Sequence, residues 1–275
     1  MNQILSAKVL SSLKEFVNYR LTKDTAAYSN QTVTLYNYSD KVLTGKYVYG
    51  SAYPSWGYNL GVSGPTYCSG VNNPGFTNKG TGLYIDYRNG RVISNSAITG
   101  TITANVAVMD INSYVTTYSS SRLINETQFT TPPTNYSVTG AAAPYSYHTS
   151  AIFFRLNGSD SEELSFGGQD WSIFNIKVTS LAKTNAHSMV VSHIIRDLNR
   201  RNFPLLDVTP LNEYGDLKSG WSYTGYLATG QQAYITDTNF GFVDNDVFGQ
   251  NNPNIEVAIG NIEVRVPRNP RSEYQ

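Results

Sequence analysis

Charge is scarce in this sequence. Lys, Arg, Asp and Glu together make up 15% of the 275 residues, against roughly 25% in an average soluble domain. The twenty basic and twenty acidic residues also cancel, so no net field draws the whole chain toward nucleic acid or an anionic membrane. This balance disfavours non-specific DNA binding by the molecule as a whole, while a local basic patch stays open.

Cysteine and long apolar runs are nearly absent. Cys68 is the only cysteine, which excludes an intramolecular disulfide and a zinc site built from several cysteines, and we interpret it as an unreactive loop thiol. No stretch approaches the ~20 apolar residues that span a bilayer. Lys8, Lys14 and Glu15 interrupt the N-terminal segment, which therefore lacks the features of a signal peptide. The sequence predicts a soluble protein, made and assembled inside a cell, with no membrane partner.

Motifs of catalysis and cofactor binding are missing as well. The chain has no G-x-S-x-G elbow, no G-x-G-x-x-G dinucleotide loop and no phosphate-binding P-loop. Among the three histidines, His148, His187 and His193, no pair has the H-x-x-x-H spacing of a metal site on a helix. His193 is expected to be a half-buried, hydrogen-bonded histidine. We therefore predict no enzymatic activity, no catalytic residue, no cofactor and no metal.

Acidic residues cluster weakly at two places. One group lies shortly after the middle of the chain, and the other loosely matches a calcium loop but lacks its closing Glu. The two groups are Asp160, Glu162 and Glu163, and Asp237, Asp244 and Asp246. A glycan-cleaving enzyme built on an unrecognised acidic pair stays open as an alternative, because any two carboxylates can meet in a fold.

What the chain does contain is typical of strands and loops. It has 21 Tyr and 22 Gly, and aromatic residues suit a pleated, half-buried surface. The segment GLYIDYRNGRVIS predicts a hairpin, with Asn89-Gly90 supplying the positive φ angles of a type I′ turn. After it, residues 98–117 alternate over a length that predicts one long strand, or two joined by a bulge.

The two ends of the chain contain helical patterns. An amphipathic helix is predicted over 3–20, with its apolar face formed by Leu5, Val9, Leu13, Phe16 and Val17. A second is predicted from a cap at Thr184 or Asn185 to Pro204, with Val190, Ile194 and Leu198 on its apolar face, widened by Val191 and Ile195. Strands with alternating apolar residues surround it, with a polar turn expected at 157–163; the alternating residues are Ile152, Phe154, Leu156, Phe174, Ile176, Val178, Ile262, Val264 and Val266.

These patterns predict an α+β protein with a small α/β core, in which two helices pack against an antiparallel sheet, and a large β-rich insertion. The expected organisation is an N-terminal helix at 1–25 that packs on the C-terminal core, the β-rich insertion at 26–127, a connection at 128–150, the α/β core at 151–266, and a flexible tail at 267–275.

Five aromatic residues crowd one loop rich in Gly, Ser and Pro. These residues are Tyr47, Tyr49, Tyr53, Trp56 and Tyr58. Exposed rings of this kind stack on sugars or anchor interfaces, whereas buried ones form core. An alternative function is therefore a module that binds glycans through this aromatic loop.

The order of elements, together with residues 174–208 (FNIKVTSLAKTNAHSMVVSHIIRDLNRRNFPLLDV) and 82–94, resembles the neck and tail-terminator proteins of tailed bacteriophages. The resemblance implies a non-enzymatic virion protein, assembled in the host cytoplasm, that forms or joins a ring at the neck or tail end. Its implied partners are further copies of itself and neighbouring neck, tail or portal-proximal proteins, with genomic DNA as passing cargo. The β-rich segment after the first helix departs from the small tail-terminator pattern, so neck, collar, head completion and tail end all stay open. In such a virion, the alternative function is a tail-fibre or baseplate module that binds host glycans through the aromatic loop at 47–58.

Overall fold

A computed structural model describes residues 3–38, 40, 42–72, 82–126, 150–165, 169–243 and 255–268. The fold is α+β, with two six-stranded sheets. The helices are α1 (Gln3–Lys23), α2 (Ser120–Glu126), α3 (Asn185–Asp197) and α4 (Tyr223–Thr229). The strands are β1 (Tyr28–Tyr38), β2 (Tyr47–Gly50), β3 (Ser69–Asn72), β4 (Leu83–Asp86), β5 (Arg91–Ser94), β6 (Ile102–Met109), β7 (Asn112–Val115), β8 (Ala151–Ser165), β9 (Gln169–Ala182), β10 (Asn202–Pro204), β11 (Gln232–Phe242) and β12 (Glu256–Arg268).

The first sheet has the order β3-β6-β1-β2-β5-β4, and every pair in it is antiparallel. Strand β1 is shared between two partners, because residues 28–35 pair with β6 and residues 36–38 pair with β2. Its β-branched and aromatic composition suits this long, half-exposed pleat.

The hairpin predicted at 82–94 is confirmed, since β4 and β5 pair antiparallel. The type I′ turn is wrong. Four residues, 87–90, connect the strands, and of Asn89 and Gly90 only the glycine has a positive φ, of 58°. The Asp86 carboxylate organises this longer loop by accepting hydrogen bonds from the Arg88 N–H (3.2 Å), the Asn89 N–H (3.3 Å) and the Asn89 side-chain amide (2.8 Å).

The single long strand expected over 98–117 is interrupted. Strand β6 ends at Met109, and β7 begins at Asn112 in the second sheet. The chain therefore crosses between sheets at Asp110 and Ile111. The Asp110 N–H donates to the Ala27 carbonyl (2.9 Å), and Ile111 is fully buried, so this crossing is part of the core rather than a bulge in one strand.

The second sheet has the order β10-β11-β12-β9-β8-β7 and is antiparallel except for the parallel pair β7 and β8. The predicted pairing of the strands around Phe154 and Ile176 is confirmed. The polar turn predicted at 157–163 is wrong, because those residues continue β8 to Ser165, with a register shift at Leu156/Gly158. Ile262, Val264 and Val266 of β12 are buried, as predicted.

Helix α3 begins where the sequence predicts. The Thr184 side chain caps it by accepting from the His187 N–H (3.2 Å). Ile194 and Leu198 are buried, and Val190 is partly buried. The helix ends at Asp197 rather than at Pro204, which lies in β10.

Helix α1 lies against β7, β8, β10 and α3. Val9, Leu13 and Val17 belong to one hydrophobic cluster that also contains residues of both sheets. The charged residue Glu15 is buried as well, at 4% exposed. The second sheet thus has α1 and α3 on one face, and a smaller cluster that includes Leu123 of α2 on the other.

The two segments outside the predicted core lie largely beyond the described residues. Of the predicted connection at 128–150, only Ser150 is described. Strand β12 extends two residues into the predicted tail, because Pro267 and Arg268 pair with Trp171 and Asp170. Residues 269–275 lie outside the described part.

Candidate functional site

The second sheet has two long strand edges that no other described strand covers. On one side, β7 pairs with residues 151–154 of β8, and the segment from Arg155 onward has no neighbour on that edge among the described strands. On the other side, β10 pairs with residues 232–234 of β11. Beyond Ile235, whose N–H donates to the Arg201 carbonyl (2.8 Å), β11 has a partner only in β12 among the described strands. Uncovered edges of this kind are templates for pairing with another chain.

The two open edges lie on opposite sides of the same antiparallel unit, β11-β12-β9-β8. Because the direction alternates at each step, β8 runs antiparallel to β11. If a second copy is placed beside the first in the same orientation, its β11 therefore meets β8 as an antiparallel neighbour. Such a contact is heterologous, and its repetition generates a ring or a filament.

The two edges carry opposite charges at nearly the same position along the strands, Arg155 on β8 and Asp237 on β11. Arg155 pairs with Lys177, Lys177 with Asn261, and Asn261 with Asn239, so Arg155 and Asn239 stand at the same height on opposite edges. Asp237 lies two positions from Asn239 and is exposed. Directly paired residues share a face, so Arg155 and Asp237 are on the same face and would lie diagonally opposite across a contact between copies.

Both charged groups have unused bonding capacity. The Arg155 guanidinium donates through one terminal nitrogen to the Asn157 side chain (3.2 Å), while its buried Nε has no hydrogen-bond partner. Asp237 has no ion pair within the described residues. An intermolecular pair would supply both with a partner.

The face of the sheet that carries Arg155 is polar, and hydrogen bonds connect side chains of neighbouring strands on it. The Arg265 guanidinium donates to Glu162 (3.0 Å) and to Glu263 (2.8 Å), and the Thr236 hydroxyl donates to Glu263 (2.6 Å). The hydrogen bonds from Thr236 and then Arg265 lower the pKa of the Glu263 carboxyl. This network connects β8, β12 and β11 through their side chains.

A cleft of about 390 Å³ lies between α1 and the loops of the first sheet. Its wall includes Trp56, Tyr87, Arg88, Ser113 and Leu211. Burial raises the pKa of the Tyr87 hydroxyl, so this group is a neutral hydrogen-bonding group in the wall.

A buried polar network borders the cleft. The Tyr58 hydroxyl donates to the Glu15 carboxylate, and the Asn18 amide donates to Tyr58 (3.1 Å). Ser113 in turn donates to the Asn18 carbonyl oxygen. Burial, followed by the nearby Glu15 charge, raises the pKa of Tyr58 well above its usual range. The network connects α1 to the loop at 55–58 and, through Ser113, to the second sheet. Its polar groups find hydrogen-bond partners in one another without a ligand.

The aromatic loop does not form an exposed platform. Tyr49, Trp56 and Tyr58 are buried, Tyr53 is partly buried, and only Tyr47 is exposed, at 41%. Most of these rings therefore serve the core, and a glycan-stacking surface at 47–58 is not formed by this arrangement.

Two of the three histidines are described. The His187 Nδ1 lies 2.9 Å from the Ser150 Oγ, and burial raises the pKa of the nearby Asp110 carboxyl while the His187 charge opposes that shift. Ser150 is 1% exposed and also receives the Lys183 N–H (3.0 Å), so the group bridges α3 to β8. His193 is exposed, not half-buried as predicted, because it lies on the outer face of α3. His148 lies outside the described residues.

The remaining singled-out residues do not converge. Cys68 is half-buried beside β3 and packs against the core. Asp160, Glu162 and Asp237 are exposed, whereas Asp244, Asp246 and the side chain of Glu163 lie outside the described part. Within the described part of the chain, no group of His, Cys, Asp or Glu is arranged to hold a metal ion.

Sequence reasoning missed the residues of the two edges. Arg155 was adjacent to a recognised strand, but the assumed turn at 157–163 hid the length of β8, and Asp237 was considered only as a calcium ligand. The missed signal is the absence of any Gly or Pro stop between Asn157 and Ser165 except Gly158. In a bulged strand a single glycine is tolerated.

No protein-family model matches this chain, and no curated protein matches it. Among the described residues, no helix has the length and apolar character needed to cross a membrane.

Proposed function

We propose that this protein is a non-enzymatic structural component of a tailed-phage virion, whose copies join into a ring at the neck or tail end around the DNA channel. The observation that carries this proposal is the pair of open edges on opposite sides of the unit β11-β12-β9-β8. Edge-to-edge contact continues the antiparallel alternation from one copy to the next, and rings close by such heterologous contacts.

The polar face of this unit suits a channel wall. Asn175 and Asn261 are exposed there, and the positive charge of Arg265 offsets one of the two negative charges of Glu162 and Glu263. A wall without a strong field of one sign permits DNA to slide instead of holding it. The resemblance of 174–208 to neck and tail-terminator proteins supports the same role.

The first experiment measures the mass of the purified full chain by mass photometry, followed by negative-stain imaging of any species heavier than the 30.4 kDa monomer. We expect closed rings. A trimer would instead favour the tail-fibre or baseplate function, and a monomer at all accessible concentrations would overturn the self-assembling ring.

A charge swap tests whether the two edges meet. Arg155→Glu and Asp237→Arg are each expected to reduce the ring fraction, because each places like charges diagonally across the seam. The double variant Arg155→Glu/Asp237→Arg is expected to restore it. Glu213→Arg, at an exposed position outside both edges, is the control and should leave assembly unchanged.

A proline variant tests backbone pairing separately from charge. The Val243 N–H donates to Val257 of β12 (2.9 Å), so by alternation Thr238 directs its N–H to the open edge. Thr238→Pro removes that outward donor and spares the ladder to β12. Loss of rings with an unchanged circular dichroism spectrum is expected, whereas intact rings would show that this edge is not the contact.

A further inference from the structure

Three arginines project from the end of helix α3. Arg196 lies in its last turn, and Arg200 and Arg201 follow within five residues. All three are exposed. In a chain whose charges sum to zero and make up only 15% of residues, this is a strong local concentration of positive charge.

The charge of this arginine cluster (Arg196, Arg200 and Arg201) is not neutralised by neighbours. Asp197, the one acidic residue inside the segment, pairs with Arg20 of α1 (3.4 Å). Within the described residues, none of the three arginine side chains forms an ion pair or a side-chain hydrogen bond. The pairing of Asp197 with Arg20 thus leaves the cluster with its full positive charge facing solvent.

The helix dipole explains only part of this arrangement. A cation in the last turn interacts favourably with the carbonyl end of a helix, which accounts for Arg196. That effect falls off within the final turn. Arg200 and Arg201 lie beyond the cap residue Leu198, where the dipole no longer requires a positive charge.

Arg200 also has an unfavourable backbone conformation. Its φ is 59°, and it is the one residue other than glycine with a positive φ in the described part of the chain. Helices commonly end with a left-handed residue, but that residue is usually Gly and sometimes Asn. Here Asn199 stands one position earlier and does not take that conformation. Residues in strained backbone conformations cluster at functional sites, which makes Arg200 a candidate for a functional role.

We propose that the arginine cluster binds the phosphate backbone of double-stranded DNA without sequence preference. Guanidinium groups match phosphate oxygens bidentately, and Asn199, also exposed, is a further donor of the kind found at phosphate contacts. The segment exposes no large apolar side chain, whereas interfaces between proteins usually have an apolar centre. The inference rests on the proposed function, because a protein at the neck or tail end meets DNA. Helix α3 packs on the sheet face opposite the one that carries Asn175 and Asn261, so this contact is separate from the polar channel wall.

The test measures binding of the full-length chain to a short fluorescein-labelled duplex of arbitrary sequence by anisotropy, at salt concentrations from about 50 to about 200 mM. The parent protein is expected to bind, with affinity falling as salt rises. Each arginine replaced by glutamine should lower the slope of log affinity against log salt by about 1. The same change at Arg88, an exposed arginine on the β4–β5 loop, is the matched control and should leave the slope unchanged.

Arg200→Gly separates binding from folding. Glycine accepts the left-handed conformation without strain, so we expect the melting temperature to stay the same or rise by about 2 °C. DNA affinity should fall nevertheless. A variant that binds as tightly as the parent, or a parent that shows no salt-dependent binding, overturns the proposal.

Mass photometry of the same variants tests ring formation separately from DNA binding. Rings that form normally but ignore DNA would overturn the DNA contact and leave the ring intact. A monomer that binds DNA through Arg200 would overturn the ring and support the contact.

Discussion

The Tyr58 hydroxyl donates a hydrogen bond to the Glu15 carboxylate across 43 positions of sequence. The other carboxylate oxygen receives the Lys14 ammonium (3.0 Å), and Asn18 connects the pair to Ser113 of β7. One buried acid of the N-terminal helix therefore fastens that helix to the loop at 55–58 and, through Asn18, to the second sheet.

We predict that Tyr58→Phe lowers the free energy of unfolding by about 1–3 kcal/mol, because it leaves a buried carboxylate with one bond fewer. Urea denaturation followed by circular dichroism measures the change. Tyr47→Phe removes a hydroxyl from an exposed ring and is the control, with a change expected within about 0.5 kcal/mol. Equal effects of the two substitutions would contradict the role of the buried bond.

Periodicity predicted the elements that bury one regular face. Ile262, Val264 and Val266 alternate in β12, and Thr184 caps α3, because local sequence determines both a strand face and a helix cap. The burial of Glu15 was not predictable in this way, since its partner Tyr58 is distant in sequence and only the fold brings them together. Contacts between side chains that are distant in sequence depend on the topology of the fold, which local sequence patterns do not determine.

The same limit explains the errors in the strands. The Asn89-Gly90 pair suggested a two-residue turn, but Asp86 forms hydrogen bonds within the loop that favour four residues. Polar residues at 157–163 suggested a turn, whereas β8 continues through them, and Asp160, Ser161 and Glu162 are exposed there. The two open edges exist because β7 and β10 are short and cover only part of β8 and β11, which local sequence patterns do not reveal.

Gly90 is predicted to be the least replaceable residue of the β4–β5 hairpin. A Cβ at Gly90 would lie 1.9 Å from the Tyr53 carbonyl oxygen, and its φ is 58°. Gly90→Ala should therefore lower stability by about 2–4 kcal/mol through overlap and backbone strain together. Gly45→Ala is matched, because Gly45 also has a positive φ, of 78°, but has open space around its Cβ position. It should show only the strain, about 1 kcal/mol.

Asp40 is predicted to stabilise the fold in a pH-dependent way. Burial raises the pKa of its carboxyl, but hydrogen bonds from the Val42 N–H, the Arg91 side chain and the Leu43 N–H outweigh burial and lower it below 3.8. A carboxyl with a lowered pKa stabilises the fold above its ordinary pKa, and this stabilisation disappears as pH falls through the folded value.

The measurement compares Asp40→Asn with the parent by urea denaturation from neutral pH down to about pH 3. The variant should be less stable by about 1–2 kcal/mol at neutral pH, and the difference should narrow below about pH 4. Glu213→Gln at an exposed position should show no difference at any pH. A constant gap for Asp40→Asn down to pH 3 would mean that the charge of Asp40 is not what stabilises the loop.

Leu198 is predicted to be essential to the packing of α3. It is the cap residue of the helix and fully buried, in the same cluster as Val191 and Ile195. Leu198→Asp buries a carboxylate without a cation beside it, which should cost more than about 3 kcal/mol and yield insoluble or unassembled protein. His193→Asp places the same charge on the exposed face of the same helix and should leave solubility unchanged. If both variants were soluble and assembled normally, α3 would not pack through this face. The packing of α3 on the second sheet, from which the ring is proposed, would then be contradicted.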